Sequence, residues 1–169
     1  ILLATSGGKD SMVMLHLFQE LDYNIGIAHC NFQLRGVESF QDQNFVQEYA
    51  AANNIPVFIT QFDTKAFAED YKVSTQVAAR ELRYNWFYEL LGTEKFDFIL
   101  TAHHADDNLE TFLINLSRGT GLDGLTGIPK QNEKIVRPLL AFSQEEMEQY
   151  ARFNDIKWRE DSSNASDKY

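Results

Sequence analysis

Residues 1–21 read ILLATSGGKDSMVMLHLFQEL, and this stretch decides the fold. Ile1–Thr5 is a short apolar run of the kind found in buried strands, and the small polar residues Ser6–Asp10 follow it as a tight loop. Large apolar residues then recur at helical spacing, at Met12, Leu15, Phe18 and Leu21. The stretch therefore predicts a strand, a glycine-containing loop and a helix over Ser11–Leu21.

The same unit recurs along the chain. Further strands are predicted at Ile25–His29, Val57–Gln61 and Phe96–Leu100. Further helices are predicted at about Phe40–Asn53, Thr75–Leu91, Ala105–Ser117 and Ser143–Phe153, the last opened by a capping box of Ser143 and Glu146. Strands that alternate with helices predict a doubly wound α/β domain, with a mostly parallel sheet of about five strands and helices on both faces. Ligands bind such sheets at the carboxyl ends of the strands, so the loops after residues 4, 29, 61 and 101 form the candidate site.

The composition limits the classes of protein to which the chain can belong. Its 169 residues carry 15 Lys and Arg against 25 Asp and Glu, a net charge of −10, and a single cysteine, Cys30. A chain of this length can bury a core as one domain, and one cysteine excludes both a disulfide framework and a multi-cysteine zinc site. The apolar runs fall short of the ~20 residues of a membrane helix. The acidic balance argues against a domain that grips a polyanion by charge alone.

The loop Ser6–Ser11 has the composition of an anion cradle. Two glycines allow a sharp turn, while hydroxyls and backbone amides converge at the start of a helix. A simple tight turn with Ser or Asp as the helix N-cap is the structural alternative. The loop fits neither common nucleotide motif, because Asp10 stands where a P-loop has Ser or Thr, and Gly7-Gly8 lacks the dinucleotide spacing. An acidic Asp10 would repel phosphates unless Mg²⁺ lay between them, so the loop predicts a metal-bound polyphosphate.

A second polar cluster follows the strand predicted at Phe96–Leu100. His103 and His104 come first, and Asp106 and Asp107 then open the next helix, with Glu110 one turn on. These carboxylates are candidates to hold Mg²⁺, or to receive an ammonium group and take its proton. Acidic residues in a first turn also simply complement the helix dipole. We interpret both histidines as positioning or packing residues, because the sequence shows no convincing set of metal ligands.

Three arginines are candidates for contacts with a polyanion. Arg80 and Arg83 lie three apart on one predicted helix, where they either face phosphates or pair with Glu81 or Glu89. Arg118 precedes a run with four glycines, a pattern typical of a loop that closes over a substrate and also of a plain connector. From residue 118 to 140 there are four basic residues against two acidic ones, which is a modest basic patch in an acidic chain.

Several blocks of the sequence resemble a known family. The loop SGGKDS, directly after the first strand, resembles the pyrophosphate loop of the N-type ATP pyrophosphatases, which cleave ATP to AMP and pyrophosphate. Within that superfamily the other blocks resemble the tRNA(Ile)-lysidine synthases. They are residues 29–39 (HCNFQLRGVES), 76–84 (QVAARELRY), 101–111 (TAHHADDNLET), 118–125 (RGTGLDGL), 137–140 (RPLL) and 161–164 (DSSN). The resemblance runs nearly from end to end.

The resemblance implies a reaction and the residues that perform it. It implies a fold of the adenine nucleotide α-hydrolase type and the use of ATP with Mg²⁺ to join free L-lysine to the wobble cytidine of an isoleucine tRNA with a CAU anticodon. The implied ATP-binding residues are Ser6, Gly7, Gly8, Lys9, Asp10, Ser11, Ala28 and His29, with Asp10 also holding Mg²⁺. The implied catalytic residues are Asp10, Arg83, Asp106, Asp107 and Glu110. The implied contacts to tRNA or substrate are Arg35, Arg80, Arg118 and Arg137.

Two other functions stay open at this point. One is a tRNA sulfur transferase that uses the same adenylation, although Cys30 alone cannot supply a cysteine pair and is predicted to be a buried strand-end residue. The other is a non-catalytic adenine-nucleotide binding module, against which the acidic residues near the polyphosphate argue. The resemblance also predicts that residues 1–169 form an N-terminal catalytic domain, that residues precede Ile1, and that a C-terminal tRNA-binding region follows Tyr169. It allows a homodimer, a cytoplasmic location and no attachment to a membrane.

Overall fold

The computed structural model describes residues 1–119 and 126–160. The strands are β1 (Leu2–Ala4), β2 (Gly26–Asn31), β3 (Val57–Gln61), β4 (Ile99–Leu100), β5 (Gln131–Asn132) and β6 (Ile135–Val136). The helices are α1 (Lys9–Glu20), α2 (Val37–Ala52), α3 (Thr64–Tyr71), α4 (Thr75–Thr93), α5 (Ala105–Ser117) and α6 (Gln144–Phe153). Most of the predicted glycine-rich stretch after Arg118, and the predicted block at 161–164, lie outside the described residues.

The strands form one sheet with the order β3-β2-β1-β4-β6-β5. Neighbouring strands are parallel except for β5, which runs antiparallel to β6. The predicted doubly wound, mostly parallel sheet is confirmed, and the described residues contribute six strands to it where about five were expected. From β1 the chain continues to β2 on one side of the sheet, while β4 lies on the other side. The strand order therefore reverses at β1 and β4, and ligands of open α/β sheets bind at such a switch point.

Helices cover both faces of the sheet, as predicted. Leu3 of β1 packs on one face in a core to which α1, α2 and α6 contribute, through side chains such as Met14, Val46 and Met147. Leu2 points to the other face and packs with Phe87 of α4 and its neighbours. Successive side chains of a strand point to opposite faces, so three residues of β1 anchor both layers. In the described part of the chain no helix is long and apolar enough to cross a membrane.

Local signals explain which elements sequence reasoning found. The capping box of α6 is confirmed, because Ser143 Oγ accepts from the Glu146 amide at 3.2 Å and the Glu146 carboxylate accepts from the Ser143 amide at 2.8 Å. Helix α3 was not predicted, because its eight residues are too few for a clear period, although the Asp63 carboxylate caps it by accepting from the Ala66 amide. Strands β5 and β6 have two residues each and carry no periodicity at all.

Candidate active site

A cleft of about 840 Å³ opens at the carboxyl ends of β1, β2 and β4. Its floor and walls come from segments far apart in the chain. They include Ser6, Gly8, Lys9, Asp10 and Ser11 after β1, Ala28, Cys30 and Phe32 at the end of β2, Arg83 and Phe87 of α4, Thr101 and His103 after β4, Glu148 and Arg152 of α6, and Trp158 and Arg159. The parallel pairing of β1 with β4 is what brings the Ser6–Ser11 loop next to the polar cluster that follows residue 101.

The Ser6–Ser11 loop is wrapped around one hydroxyl. Ser11 Oγ accepts from the amides of Ser6 and Gly7, both at 3.2 Å, and donates to the Gly8 carbonyl at 2.8 Å. Gly7 has φ +94°, which favours glycine, and it turns the chain so that these amides converge. The N-cap of α1 is Gly8, and no side chain caps the helix. The loop is therefore a nest of convergent amides at a helix start rather than a turn capped by Ser or Asp.

Asp10 stands at the start of α1 and faces the cleft. Its Oδ1 is buried and has no hydrogen-bond partner in the described structure. Burial raises the pKa of this carboxyl, and the nearby His104 and Lys9 oppose the rise. A carboxylate oxygen without a partner, beside an anion-binding loop, is a suitable ligand for a hard divalent cation.

The residues present fit Mg²⁺ only together with a phosphate ligand. Within residues 1–119 and 126–160 there is no group of three or more His, Cys, Asp or Glu side chains arranged to hold a metal ion. Mg²⁺ usually keeps several waters and binds through one or two carboxylates plus substrate phosphates. Asp10 next to the loop meets that requirement.

His104 lies at the centre of three carboxylates. Its Nε2 is 3.7 Å from Asp10 Oδ2 and 3.6 Å from Asp107 Oδ2, and its Nδ1 is 3.6 Å from Asp106 Oδ2. The ring is nearly buried, with 9% of the side chain exposed. His104 was predicted to be a positioning or packing residue, and its place between Asp10 and the first turn of α5 agrees with that interpretation.

The two acidic residues of α5 also serve helix ends. Asp107 Oδ2 accepts from the His104 amide at 2.8 Å, and Asp106 Oδ2 accepts from the Gln144 amide at the start of α6 at 2.7 Å. Both carboxylates therefore stabilise helix ends and also lie 3.6 Å from the His104 ring, so the two roles are not alternatives. None of the three predicted acidic residues of α5 lines the cleft itself; Asp106 and Asp107 contact His104, whereas Glu110 is exposed further along α5.

The two remaining histidines near the strand ends are the buried His29 and the half-buried His103. His103 lines the cleft and shares a 2.9 Å hydrogen bond between its Nδ1 and Thr101 Oγ1. His29 bonds the Thr5 carbonyl through Nδ1 at 2.9 Å, and its ring is not part of the cleft wall, whereas Ala28 is. Burial lowers the pKa of both rings.

The predicted arginines separate into three groups. Arg83 lines the cleft, with its guanidinium 5.1 Å from the centre of the Phe32 ring. Exposed arginines lie outside it: Arg80 over the Tyr84 ring, Arg118 at the end of α5, and Arg35, which pairs with Asp42. Arg137 is only 6% exposed and donates to the Pro129 carbonyl at 2.8 Å. Its Nε is buried and has no hydrogen-bond partner in the described structure, so the Pro129 carbonyl satisfies only part of this guanidinium.

Comparison with known proteins shows the family to which this chain belongs. The profile of the PP-loop domain family matches residues 1–169. The chain belongs to the PP-loop domain family. It is 45% identical over its whole length to a tRNA(Ile)-lysidine synthase of Porphyromonas gingivalis, 43% to that of Chlorobaculum tepidum and 36% to that of Bacillus subtilis. It spans 37%, 52% and 37% of the length of these relatives, respectively.

Solved structures share the fold of this PP-loop domain at low sequence identity. A U34-tRNA thiolase, NcsA from Methanococcus maripaludis with its [4Fe-4S] cluster, superposes with a TM-score of 0.77 at 19% identity, covering 94% of this chain and 58% of that one. An NH3-dependent NAD synthetase from Campylobacter jejuni gives a TM-score of 0.60 at 17% identity, covering 92% and 63%. These likenesses establish the fold alone.

One wall of the PP-loop cleft was not found by sequence reasoning. Glu148 of α6 accepts from Lys9 Nζ at 3.4 Å and from Arg152 at 2.7 Å, and Trp158 and Arg159 close the wall. These residues follow the loop by about 140 positions and match no local motif. Only packing of α6 against α1 brings them to the PP-loop.

The PP-loop domain's one thiol is expected to be poorly reactive. Burial raises the pKa of Cys30 to about 12, although Arg83 opposes the rise. Because the thiolate is the nucleophile, iodoacetamide at pH 8 should alkylate Cys30 at least about tenfold more slowly in the folded protein than in urea. Mass spectrometry of timed samples measures both rates. Equal rates would show that the thiol is as reactive as a free cysteine.

Proposed function

We propose that this chain is the catalytic domain of a tRNA(Ile)-lysidine synthase. In the proposed reaction the 2-carbonyl oxygen of the wobble cytidine attacks the α-phosphate of ATP, and pyrophosphate leaves. The ε-amine of free lysine then attacks C2 and AMP departs, which yields lysidine and changes decoding from AUG to AUA. The observation that carries the proposal is 36–45% identity to tRNA(Ile)-lysidine synthases across the whole chain.

ATP is proposed to bind across the switch point of the sheet. The phosphates are proposed to lie against the Ser6–Ser11 loop at the start of α1, and the adenosine against Ala28 at the end of β2. Without ligand the amides of Ser6, Gly7 and Gly8 donate within the loop, to Ser11 Oγ and Ser6 Oγ, so phosphate would compete with these bonds. Mg²⁺ held by Asp10 and the phosphates would offset the charge of the departing pyrophosphate. Lys9 and Arg83, which both line the cleft, add positive charge where the α-phosphate is attacked.

The proposed second step needs a base, because only a neutral amine attacks carbon. Asp106 and Asp107 contact the same His104 ring that contacts Asp10, and although neither of the two lines the cleft, a carboxylate of this group is proposed to accept a proton from the lysine ammonium. Glu110 stands apart on the exposed side of α5, which makes it the weaker candidate of the three acidic residues.

The proposed partners are an isoleucine tRNA with a CAU anticodon and free L-lysine. The wobble base has to leave its stack to reach the cleft, and single-stranded loops permit this at modest cost. Arg35, Arg80 and Arg118 are exposed and suit contacts to the RNA backbone, whereas the burial of Arg137 argues for a structural role. We further propose a C-terminal tRNA-binding region beyond residue 169, a cytoplasmic location and room for a homodimer.

A tRNA thiolase is the second candidate, because NcsA shares the fold with a TM-score of 0.77. That protein carries a [4Fe-4S] cluster, and such clusters are held by several cysteine thiolates. These 169 residues contain one cysteine, and its thiol has a pKa raised to about 12. Sulfur transfer is therefore less well supported than amine ligation. A passive nucleotide-binding module accounts for the helix-end bonds of Asp106 and Asp107 but gives no role to the unpartnered Oδ1 of Asp10.

The nucleotide products test the proposal. The full-length protein is incubated with ATP labelled at the α- or γ-phosphate, Mg²⁺, L-lysine and an unmodified isoleucine tRNA transcript with the CAU anticodon. AMP and pyrophosphate in equal amounts, dependent on the tRNA, are expected. Formation of ADP, or AMP formation that is indifferent to tRNA, would overturn it. A transcript with a substituted wobble base is the matched control and should support no turnover.

The positive φ of Gly7 makes a further prediction. An alanine at φ +94° costs about 1–2 kcal/mol and moves the loop amides, so Gly7→Ala should weaken ATP binding about tenfold or more and lower the melting temperature. Gly92→Ala is the control, because Gly92 lies within α4 and a Cβ there meets open space. Calorimetric titration with ATP and a thermal melt measure both. Normal binding by Gly7→Ala would show that the loop's conformation does not set ATP affinity.

A further inference from the structure

Asp42 joins two parts of the chain that are far apart in sequence. It lies on α2, with its side chain 13% exposed, and each carboxylate oxygen accepts from a different arginine. Oδ2 accepts from Arg35 Nη2 and Oδ1 from Arg159 Nε, both at 2.7 Å. Arg159 Nη2 also donates to Gln41 Oε1 at 2.9 Å. One turn of α2 therefore holds the guanidinium of Arg159 in place.

Arg159 in turn fixes the PP-loop through its backbone. Its amide donates to the Gly7 carbonyl at 2.9 Å. On the other side, an added Cβ at Gly7 would lie 3.4 Å from Phe45 and Val46 of the same helix α2. The loop is thus enclosed between α2 and residues 157–160, which we call the closing segment. Trp158 of this segment also packs against the core.

The orientation of the Gly7 carbonyl matters for anion binding. A peptide between two glycines has little steric barrier to rotation of its plane, since neither residue has a Cβ. The Gly8 amide of this peptide donates to Ser6 Oγ at 3.2 Å, so turning the peptide over would break that bond and put a carbonyl oxygen where the amide now lies, which would repel phosphate. The Arg159 amide, which donates to the Gly7 carbonyl, opposes this rotation and so keeps the loop in one conformation before the ligand arrives. Preorganisation of this kind raises affinity because less ordering is left to be done on binding.

We propose that Asp42 is a positioning residue for the PP-loop: through Arg159 it holds the closing segment against the Gly7 carbonyl and so sets the affinity for the ATP phosphates. The inference rests on the proposed use of ATP at this loop. Asp42 itself does not line the cleft. Its effect is therefore on binding of ATP rather than on the chemical step.

Simple electrostatics makes the opposite prediction, which sharpens the test. Removing a negative charge near a polyanion site should tighten ATP binding or leave it unchanged. Loss of the positioning contact should weaken it. We expect Asp42→Asn and Arg159→Gln each to raise the KM for ATP about five- to twentyfold, with kcat within about twofold of the parent protein. The KM for ATP of the double variant should be no higher than that of the more impaired single variant, because both substitutions break the same contact.

The experiment measures KM, kcat and the dissociation constant for ATP with Mg²⁺ in the full-length protein, alongside the melting temperature. Glu48→Gln is the matched control, since it removes one charge from an exposed position of the same helix. Asp42→Glu, which keeps the carboxylate, should recover most of the affinity. Unchanged or tighter ATP binding in Asp42→Asn, or a loss confined to kcat, would overturn the proposal. If the parent protein bound no ATP, the proposed function would fail instead, and the two failures are thereby distinguished.

Discussion

The Asp10→Asn variant is expected to lose at least about 10²-fold in AMP formation while its melting temperature stays close to that of the parent protein. Asp10 Oδ1 is buried beside the PP-loop without a hydrogen-bond partner, and burial raises the pKa of the carboxyl. The fold therefore gains little from the charge. The neutral amide has nearly the same shape but cannot replace a carboxylate as a Mg²⁺ ligand.

The comparison that isolates this effect uses an acidic residue away from the cleft. Asp70→Asn, at an exposed position of α3, removes the same charge and should leave AMP formation unchanged. Rates are measured with saturating tRNA and lysine over a range of Mg²⁺ concentrations. An Asp10→Asn enzyme with near-normal turnover would exclude the proposed role of Asp10 on the metal.

The second large effect is expected at His104. Replacing it by leucine keeps the volume but leaves Asp10, Asp106 and Asp107 around an apolar side chain that offers them no polar contact. We expect AMP formation to fall by about 10- to 100-fold, the usual cost of losing a residue that orients a metal ligand, together with a lower melting temperature.

Conservative variants separate a specific contact from general packing. The Gln side-chain amide occupies the place of Nε2, next to Asp10 and Asp107, whereas the Asn amide occupies that of Nδ1, next to Asp106 alone. If the two variants have similar melting temperatures, His104→Gln should therefore retain more activity than His104→Asn. The reverse order would place the important contact at Asp106 and would argue against a link from His104 to Asp10.

The parts of the site that sequence reasoning predicted are those defined by local patterns. The strand, glycine loop and helix of residues 1–21 follow from periodicity and from the conformational freedom of Gly7. The place of the acidic pair Asp106 and Asp107 follows from the rule that parallel strands end at one edge of a sheet. Both inferences needed only short-range information and the topology of the fold.

The parts that sequence reasoning missed depend on contacts between distant segments. Nothing near Glu148 or Arg159 in the sequence indicates a cleft wall, since each reaches the PP-loop only through packing of α6 and the closing segment. The burial of Arg137 is likewise set by its bond to Pro129 and not by its neighbours in the chain. Strands β5 and β6 escape notice because pairing, rather than composition, makes two residues a strand.

The identity of the nucleoside at the wobble position decides whether this chain is part of a lysidine synthase. The full-length protein is incubated with ATP, Mg²⁺, isotope-labelled lysine and the unmodified CAU transcript, and the tRNA is then digested to nucleosides for mass spectrometry. We expect a cytidine that has gained lysine with loss of water, labelled in proportion to the AMP released. An unmodified cytidine, from a protein that binds ATP and the tRNA under the same conditions, would contradict this expectation.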